Sequence, residues 1–250
     1  MRFFDVAAPG TPIEAWHRRL ECHPPPPFDW RLVHRAVVVA PHPDDETLGL
    51  GGTLHRLCAN GVPLKVVTVT DGEAADPAAG AAARAVLAAR RQSENHEALQ
   101  VLGLPADRLL RLGLPDGGIA EHEDELTNVL ESLLTEDTWT FVTWREDGHP
   151  DHEAAARATM RAARHQDAKL VEYPIWAWHW DAPDDSAMPW AQARAVELTD
   201  AEVVAKRAAV AVYASQTESA PGLLPVLPDH VLARLIGSTE VLFQEAPAAR

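Results

Sequence analysis

Short apolar runs alternate along the chain with longer segments whose apolar residues recur at helical spacing. The first such pair is residues 35–40, a β-branched run typical of a buried parallel strand, and residues 46–60, an amphipathic helix with Gly61 at its end. The same alternation continues to the C-terminal part of the chain. It predicts a single Rossmann-like α/β domain with a mostly parallel sheet and helices on both faces.

The remaining elements follow from the same periodicities. Further strands are expected over residues 63–70, 108–112, 139–144, 168–174 and 240–243, and helices over residues 81–102, 126–134, 153–164, 203–213 and 231–236. Residues 1–34 are interpreted as an N-terminal leader, in which a short helix precedes a stiff strap of four prolines. Residues 35–250 are interpreted as one domain, because 250 residues suffice for one sizeable core.

Charge and composition exclude several classes of partner. The net charge of −15 would repel the phosphates of nucleic acids and of anionic membranes. No run approaches the roughly 18 apolar residues that a membrane span needs. The N-terminal residues lack the apolar core of a signal peptide, and the two cysteines, Cys22 and Cys58, lack metal-ligand spacing. A cytoplasmic protein with reduced thiols is therefore expected.

Candidate chemistry first appears between the first strand and the first helix of the domain. His42 and Asp45 are three residues apart across this turn, and Asp44 lies between them. Imidazole and carboxylate suit zinc or a similar divalent ion, and open α/β sheets bind ligands at the carboxyl ends of their strands. The alternative is that the two acids only cap a helix N-terminus.

A second motif of the same kind favours the metal site. His149, Asp151 and His152 follow the apolar run at residues 139–144 and precede an Ala-rich helix. Two strand-to-helix turns at the carboxyl edge of one parallel sheet would face the same crevice. Helix capping alone does not explain two such motifs, so the pair predicts a metal site.

The motifs at residues 41–46 and 149–152 resemble those of the LmbE/PIG-L family of metal-dependent N-acetylglucosaminyl deacetylases. Further matches extend the resemblance from about residue 35 to about residue 244. It implies an LmbE-like fold and a Zn²⁺ ion bound by His42, Asp45 and His152, with another divalent ion such as Fe²⁺ as an alternative.

The resemblance also implies the catalytic roles. Asp44 would take a proton from water and deliver it to the leaving nitrogen. His149 would be protonated and would stabilise the oxyanion, and Asp151 would hold His149 in orientation and favour its charged form.

Substrate contacts rest on weaker matches. Arg91, in an Arg-x-x-Glu element, is expected to reach sugar hydroxyls, unless it is an exposed arginine paired with Glu94. Asp116 matches a family position near the sugar, although Asp-Gly is also a common turn. Asp71 is expected to orient His152 or another ligand from behind, or else to cap a loop. The pair Ser215-Gln216 resembles a later family element that also includes a lysine, here Lys206; helix termination and a polar turn would explain it equally well.

A tryptophan-rich segment follows the strand expected at residues 168–174. If the segment is extended, Trp176, Trp178 and Trp180 lie on one side, where Trp176 and Trp178 would stack on sugar rings. The alternatives are a subunit interface, which leaves a homo-oligomer open, or a small additional core. In one departure from some family members, Arg145 to Gly148 occupy the approach where those proteins have an aromatic residue, which puts the acyl or sugar preference in doubt.

Other hydrolase and cofactor classes are not indicated. The chain has no Gly-x-Ser-x-Gly elbow, and Gly49, Gly51 and Gly52 lie inside a predicted helix, where they favour close helix–sheet packing over phosphate binding. The predicted function is zinc-dependent hydrolysis of the acetamide of an N-acetylglucosamine-containing small molecule. A non-sugar amidase with the same metal site and a metal- or sugar-binding protein without turnover are the alternatives.

Overall fold

A seven-stranded sheet runs through the part of the chain that the computed structural model describes, residues 6–218 and 225–244. Its strands are β1 Ala36–Ala40, β2 Leu64–Thr70, β3 Leu109–Leu114, β4 Trp139–Thr143, β5 Lys169–Tyr173, β6 Ala193–Glu197 and β7 Thr239–Gln244. The spatial order is β3-β2-β1-β4-β5-β7-β6. Strands β1 to β5 pair in parallel, and β7 is antiparallel to both of its neighbours. The mostly parallel sheet predicted from the sequence is confirmed.

Helices cover both faces of this sheet. They are α1 Ile13–Cys22, α2 Asp45–Ala59, α3 Ala81–Val101, α4 Glu123–Glu131, α5 Pro150–His165, α6 Ala177–Trp180, α7 Asp200–Val210, α8 Ala214–Thr217 and α9 Asp229–Leu235. Successive side chains of β1 alternate between two cores: Val38 packs with α2 and α3, whereas Val37 and Val39 pack with α4 and α5. Among the described helices, none is long and apolar enough to cross a membrane.

One local expectation is wrong, and one strand was not anticipated. The tryptophan-rich segment is not extended, because residues 177–180 turn into α6 directly after β5. Strand β6 was not predicted. It is only five residues long, and the strand with which it pairs, β7, lies far away in sequence. Pairing with a distant strand leaves little local signal.

The segment before β1 packs closely on the rest of the chain. Trp16 of α1 is 1% exposed and meets the Trp178 ring edge-on. Phe28, directly after the prolines, contacts the ring of Phe141, and its N–H donates to Ala195 O at 2.8 Å. The division into a leader and a domain at residue 34 stays a prediction, but the described part of that leader contributes to the main core.

Candidate active site

The turn after β1 brings the first motif to the carboxyl edge of the sheet, where β1 and β4 lie side by side. The carboxylate of Asp45 accepts a 2.9 Å hydrogen bond from the backbone N–H of His42, which closes the turn. Asp44 has a φ of 141°, a strained conformation for a residue with a side chain. Although Asp44 stands at the N-cap of α2, its side chain makes no capping hydrogen bond. The helix-capping alternative therefore does not account for Asp44.

Three ligand-type atoms from both motifs meet at this edge. His42 Nδ1, Asp45 Oδ2 and His152 Nε2 lie 3.3 Å from one another in all three pairs. Ligands bonded at about 2.0–2.2 Å to one tetrahedral zinc ion are separated by about 3.3–3.5 Å. His152 is fully buried and Asp45 nearly so. The spacing and the mixed imidazole–carboxylate donor set thus fit a divalent metal ion such as zinc.

Opposite charges hold this trio together. Burial disfavours the charged form of Asp45. The charge of His152 and the hydrogen bonds of His152 and His42 outweigh this effect and lower the pKa of Asp45. The carboxylates of Asp45 and Asp147 raise the pKa of His152 to about 9. A divalent cation bound by the trio would replace the proton that Asp45 and Asp147 favour on His152.

The second ring nitrogen of His42 faces two further carboxylates. Its Nε2 lies 3.2 Å from Asp116 Oδ1 and 3.3 Å from Asp151 Oδ2. Asp151 also accepts from the backbone N–H of Gly117 at 2.7 Å, and Asp116 accepts from that of Ala74, also at 2.7 Å. Both carboxylates are therefore fixed, and both orient His42, as carboxylates commonly do for metal-ligating histidines. This contact was not expected for either residue.

His149 differs from its expected state. Its Nδ1 accepts a 3.3 Å hydrogen bond from the backbone N–H of Asp151, so the proton of the neutral ring belongs on Nε2. Burial and the neighbouring rings of His152 and His42 lower the pKa of His149 to about 3. The Asp151 carboxylate, expected to hold His149, faces His42 instead, and only the backbone N–H of Asp151 contacts the His149 ring. A neutral Nε2–H donor remains.

Asp44 and Arg91 lie on the wall of a cavity above the trio. Burial and the nearby Asp45 charge raise the pKa of Asp44 well above its usual range, while the Arg91 charge opposes the shift. Arg91 is 3% exposed and donates from Nη1 to Gly72 O at 2.6 Å. Glu94 is bonded instead to Arg90 at 2.9 Å, so the alternative of an exposed Arg91–Glu94 ion pair is wrong.

Asp147 is the site residue that the sequence analysis missed. Its carboxylate lies 2.7 Å from His152 Nδ1 and accepts from the backbone N–H groups of Ile175, Trp176 and Ala177 at 2.9–3.0 Å. Asp71, expected behind His152, instead forms a 2.8 Å ion pair with Arg111. An acid five residues before His152, at the end of a predicted strand, was the available signal. Residues 145–148, which include Asp147, were noted only because some family members have an aromatic residue there.

The cavity has a volume of about 770 Å³, and His42, Asp44 and Trp176 are among its lining residues. Trp178 does not line it, because its ring packs between Trp16 and Trp190 in the core. Of the two tryptophans expected to stack on sugar, only Trp176 is placed to contact a ligand in this cavity.

The later family element lies beside the cavity, and Gln216 is one of the residues that line it. Gln216 donates from Nε2 to Pro43 O at 2.6 Å, next to Asp44. The N–H of Ser215 donates to Glu94 Oε1 at 2.9 Å, which ties α8 to α3. Lys206 forms a buried 2.8 Å ion pair with Glu240. These contacts hold α8, α3 and α7 in place around the cavity.

Comparisons with known proteins find a matching family and several similar proteins. The family model described as PIG-L, GlcNAc-PI de-N-acetylase, matches residues 37–163. A 1D-myo-inositol 2-acetamido-2-deoxy-alpha-D-glucopyranoside deacetylase of Catenulispora acidiphila is 31% identical over 156 residues, which cover 51% of this chain and 50% of that protein. Diacetylchitobiose deacetylase of Thermococcus kodakarensis is 30% identical over 131 residues, which cover 49% and 46% of the two chains.

A solved structure extends the similarity over most of the fold. The conserved protein TT1542 of Thermus thermophilus superimposes with a TM-score of 0.61 at 29% identity, over 87% of this chain and 97% of that one. In sequence, the chain spans about half the length of the curated relatives it matches.

Proposed function

Because this chain belongs to the PIG-L (GlcNAc-PI de-N-acetylase) family, we propose that it is a metal-dependent N-deacetylase of a small molecule containing N-acetylglucosamine. Water would cleave the acetamide C–N bond and release acetate and a free amine. We propose zinc as the metal, with Fe²⁺ as the alternative.

The observation that carries this proposal is the equilateral arrangement of His42 Nδ1, Asp45 Oδ2 and His152 Nε2 at 3.3 Å, beside the buried Asp44 carboxylate. Three protein ligands leave a position open, which is typical of catalytic zinc sites and not of structural ones. An ion held there supplies an activated water and polarises the amide carbonyl. A protein that only binds a metal needs no buried base beside the open position.

Two residues complete the reaction. Asp44 accepts the proton of the attacking water and passes it to the leaving nitrogen, for which its raised pKa suits it. His149 donates a hydrogen bond from Nε2–H to the carbonyl oxygen as negative charge develops there. On the side of β2 and β3, Arg91 provides a buried cation for the sugar hydroxyls.

The test is release of primary amine from a panel of N-acetylglucosamine conjugates and non-sugar acetamides. Each substrate is assayed with the metal as isolated, after chelation, and after zinc is restored. We expect metal-dependent release from the sugar conjugates alone. Release only from non-sugar amides would replace the substrate class, and tight metal binding without cleavage of any amide would contradict the proposed activity.

Asp44→Asn separates catalysis from metal binding. The substitution removes the proton acceptor but leaves the 3.3 Å trio intact, so we expect a loss of about 10²–10⁴-fold in kcat with unchanged metal content. The measurements are steady-state kinetics and metal analysis of the same preparation. Asp107→Asn, at an exposed surface position remote in sequence from both motifs, is the control; equal losses in both variants would argue against the role of Asp44.

A further inference from the structure

The wall of the cavity changes character from one side of the metal-ligand trio to the other. The side formed by the ends of β2 and β3 carries the charged residues Arg91 and Asp116. The opposite side is mainly apolar: Val6, Ala7, Ile175, Trp176, Val226 and Leu227 line it, with His230 as a polar residue beside Val6. Ile175 and Trp176 follow β5, which lies beyond β4 in the sheet order. The trio at β1 and β4 therefore separates a polar from an apolar compartment.

The apolar wall is held in place by specific contacts. Arg234 of α9 donates from Nε to Thr11 O at 2.6 Å, and His230 Nε2 lies 3.1 Å from Val6 O. The N–H of Thr11 donates to His179 O in α6 at 2.9 Å. The N-terminal segment is thus held against α6 and α9, which favours a built subsite over a loose surface.

The tight approach at Gly10 supports the same conclusion. Gly10 has a φ of 61°, and a Cβ there would lie 2.7 Å from the backbone oxygen of His179. Only glycine fits this position without strain. Both wall segments lie outside residues 37–163, the part of the chain that matches the family model.

We infer that this apolar compartment binds the acyl group of the substrate, and that the chain hydrolyses N-acyl glucosamines whose acyl group is longer than acetyl. The inference rests on the proposed function. With the sugar hydroxyls on the Arg91 side and the amide above the trio, the group across the amide bond from the sugar is the acyl chain. A cavity of about 770 Å³ exceeds what an acetylated monosaccharide fills, and lies within the range of about 300–1,000 Å³ typical of pockets for larger ligands.

The first experiment compares kcat/KM for N-acetyl, N-butanoyl, N-hexanoyl and N-octanoyl glucosamine with the metal-loaded enzyme. Each pair of added methylenes should raise kcat/KM by about three- to tenfold until the compartment is full, because apolar surface is buried. A flat or falling series would overturn the inference. A parallel series of N-acetylglucosamine alkyl glycosides tests the other end of the sugar; a rise only in that series would assign the wall to the aglycone and would also overturn the inference.

The second experiment changes the wall itself. Val226→Asn places a polar group among the apolar lining residues and should lower the ratio of N-hexanoyl to N-acetyl kcat/KM by about tenfold. Val204→Asn is the matched control, because Val204 is 66% exposed on α7. Arg234→Gln, which weakens the contact of α9 with the N-terminal segment, should lower the same ratio; Arg207→Gln on α7 is its control. An unchanged ratio in Val226→Asn and in Arg234→Gln would contradict the inference.

Binding without turnover separates this inference from the proposed function. Calorimetric titration of Asp44→Asn with N-octanoyl and N-acetyl glucosamine should show tighter binding of the octanoyl compound, and the difference should shrink when Val226→Asn is added. If the enzyme cleaves no glucosamine amide but still shows this difference, the proposed function fails while the apolar compartment stands. Cleavage of N-acetyl substrates with equal binding of both compounds gives the opposite result and overturns the inference.

Discussion

At the scale of single residues, three carboxylates of the site contact its histidines. Asp147 is fully buried, and the same carboxylate faces His152 Nδ1 and accepts three backbone N–H groups of the segment after β5. It therefore orients one ligand and the Trp176 segment at once. Asp151 and Asp116 likewise contact Nε2 of His42 and orient its ring. The orientation of the two candidate metal-ligating histidines is therefore set mainly by carboxylates outside the trio.

Asp147→Asn tests this arrangement. The amide would place N–H donors against His152 and against the backbone N–H groups, and each lost acceptor costs about 1–3 kcal/mol in a buried site. We expect metal affinity to fall about 10–100-fold and the free energy of unfolding to decrease. Metal titration and urea unfolding measure the two effects. Glu146→Gln, at the exposed neighbouring position, is the control, and equal metal affinity in both variants would refute this role.

At the scale of elements, α2 lies unusually close to the structure around it. A Cβ at Gly49 would meet the Tyr173 ring at 2.3 Å, and a Cβ at Gly52 would meet Leu198 at 2.4 Å. The glycines therefore allow close packing of helix on sheet, as the sequence pattern predicted, and this packing places Asp45 at the start of α2 against β1. Glu240 of β7 reinforces the contact by accepting from the N–H groups of Gly52 and Thr53 at 2.8 and 2.9 Å.

Gly49→Ala measures the value of this close approach. Tyr173 is fully buried and its hydroxyl donates to Val39 O at 3.2 Å, so its ring has no room to move. Overpacking should cost about 1–3 kcal/mol, more than the gain of about 1 kcal/mol in helix propensity. Urea unfolding gives the net change. Gly237→Ala is the control, since its Cβ would lie 3.9 Å from the nearest atom; a Gly49→Ala protein as stable as wild type would disprove the argument.

At the scale of the whole molecule, Trp16, Phe28 and Val33, which precede β1, belong to the core on one face of the sheet. Trp16 donates from Nε1 to Trp178 O at 2.8 Å, and Trp178 lies two residues from Trp176 in the cavity wall. The backbone of Ala195 in β6 accepts from the N–H of Phe28 and donates to Pro26 O, both at 2.8 Å. The proline strap thereby connects the edge strand β6 to α1, and α1 contacts α6 beside the apolar compartment.

Trp16→Ala tests whether the N-terminal helix contributes to global stability. Removing a fully buried tryptophan leaves a cavity and should cost about 3–5 kcal/mol in the free energy of unfolding. His17→Ala on the exposed face of the same helix is the control and should change stability by less than about 0.5 kcal/mol. If both variants unfold at the same urea concentration, the helix is an appendage and the interpretation is wrong.

Much of the architecture was accessible from local patterns. Short apolar runs located β1, β2, β4 and β5, because a buried parallel strand is apolar over most of its length. Helical spacing located the helices between them. The two His-Pro-Asp turns located the metal-ligand candidates, since both motifs follow such strands. Strand β6 and helix α6 were missed, because the first depends on pairing with β7 and the second reverses a pattern that also fits an extended segment.

The sequence by itself determined which side chains stand at the carboxyl edge of the sheet, since strand periodicity and chain order fix where each motif emerges. Only the tertiary structure decided which of these side chains contact each other and which line the cavity. Asp147 and not Asp71 faces His152, the Asp151 carboxylate contacts His42 and not His149, and Trp178 enters the core while Trp176 lines the cavity. The physical reason is that each of these choices depends on contacts between residues distant in sequence, whose distances and burial no local spacing encodes.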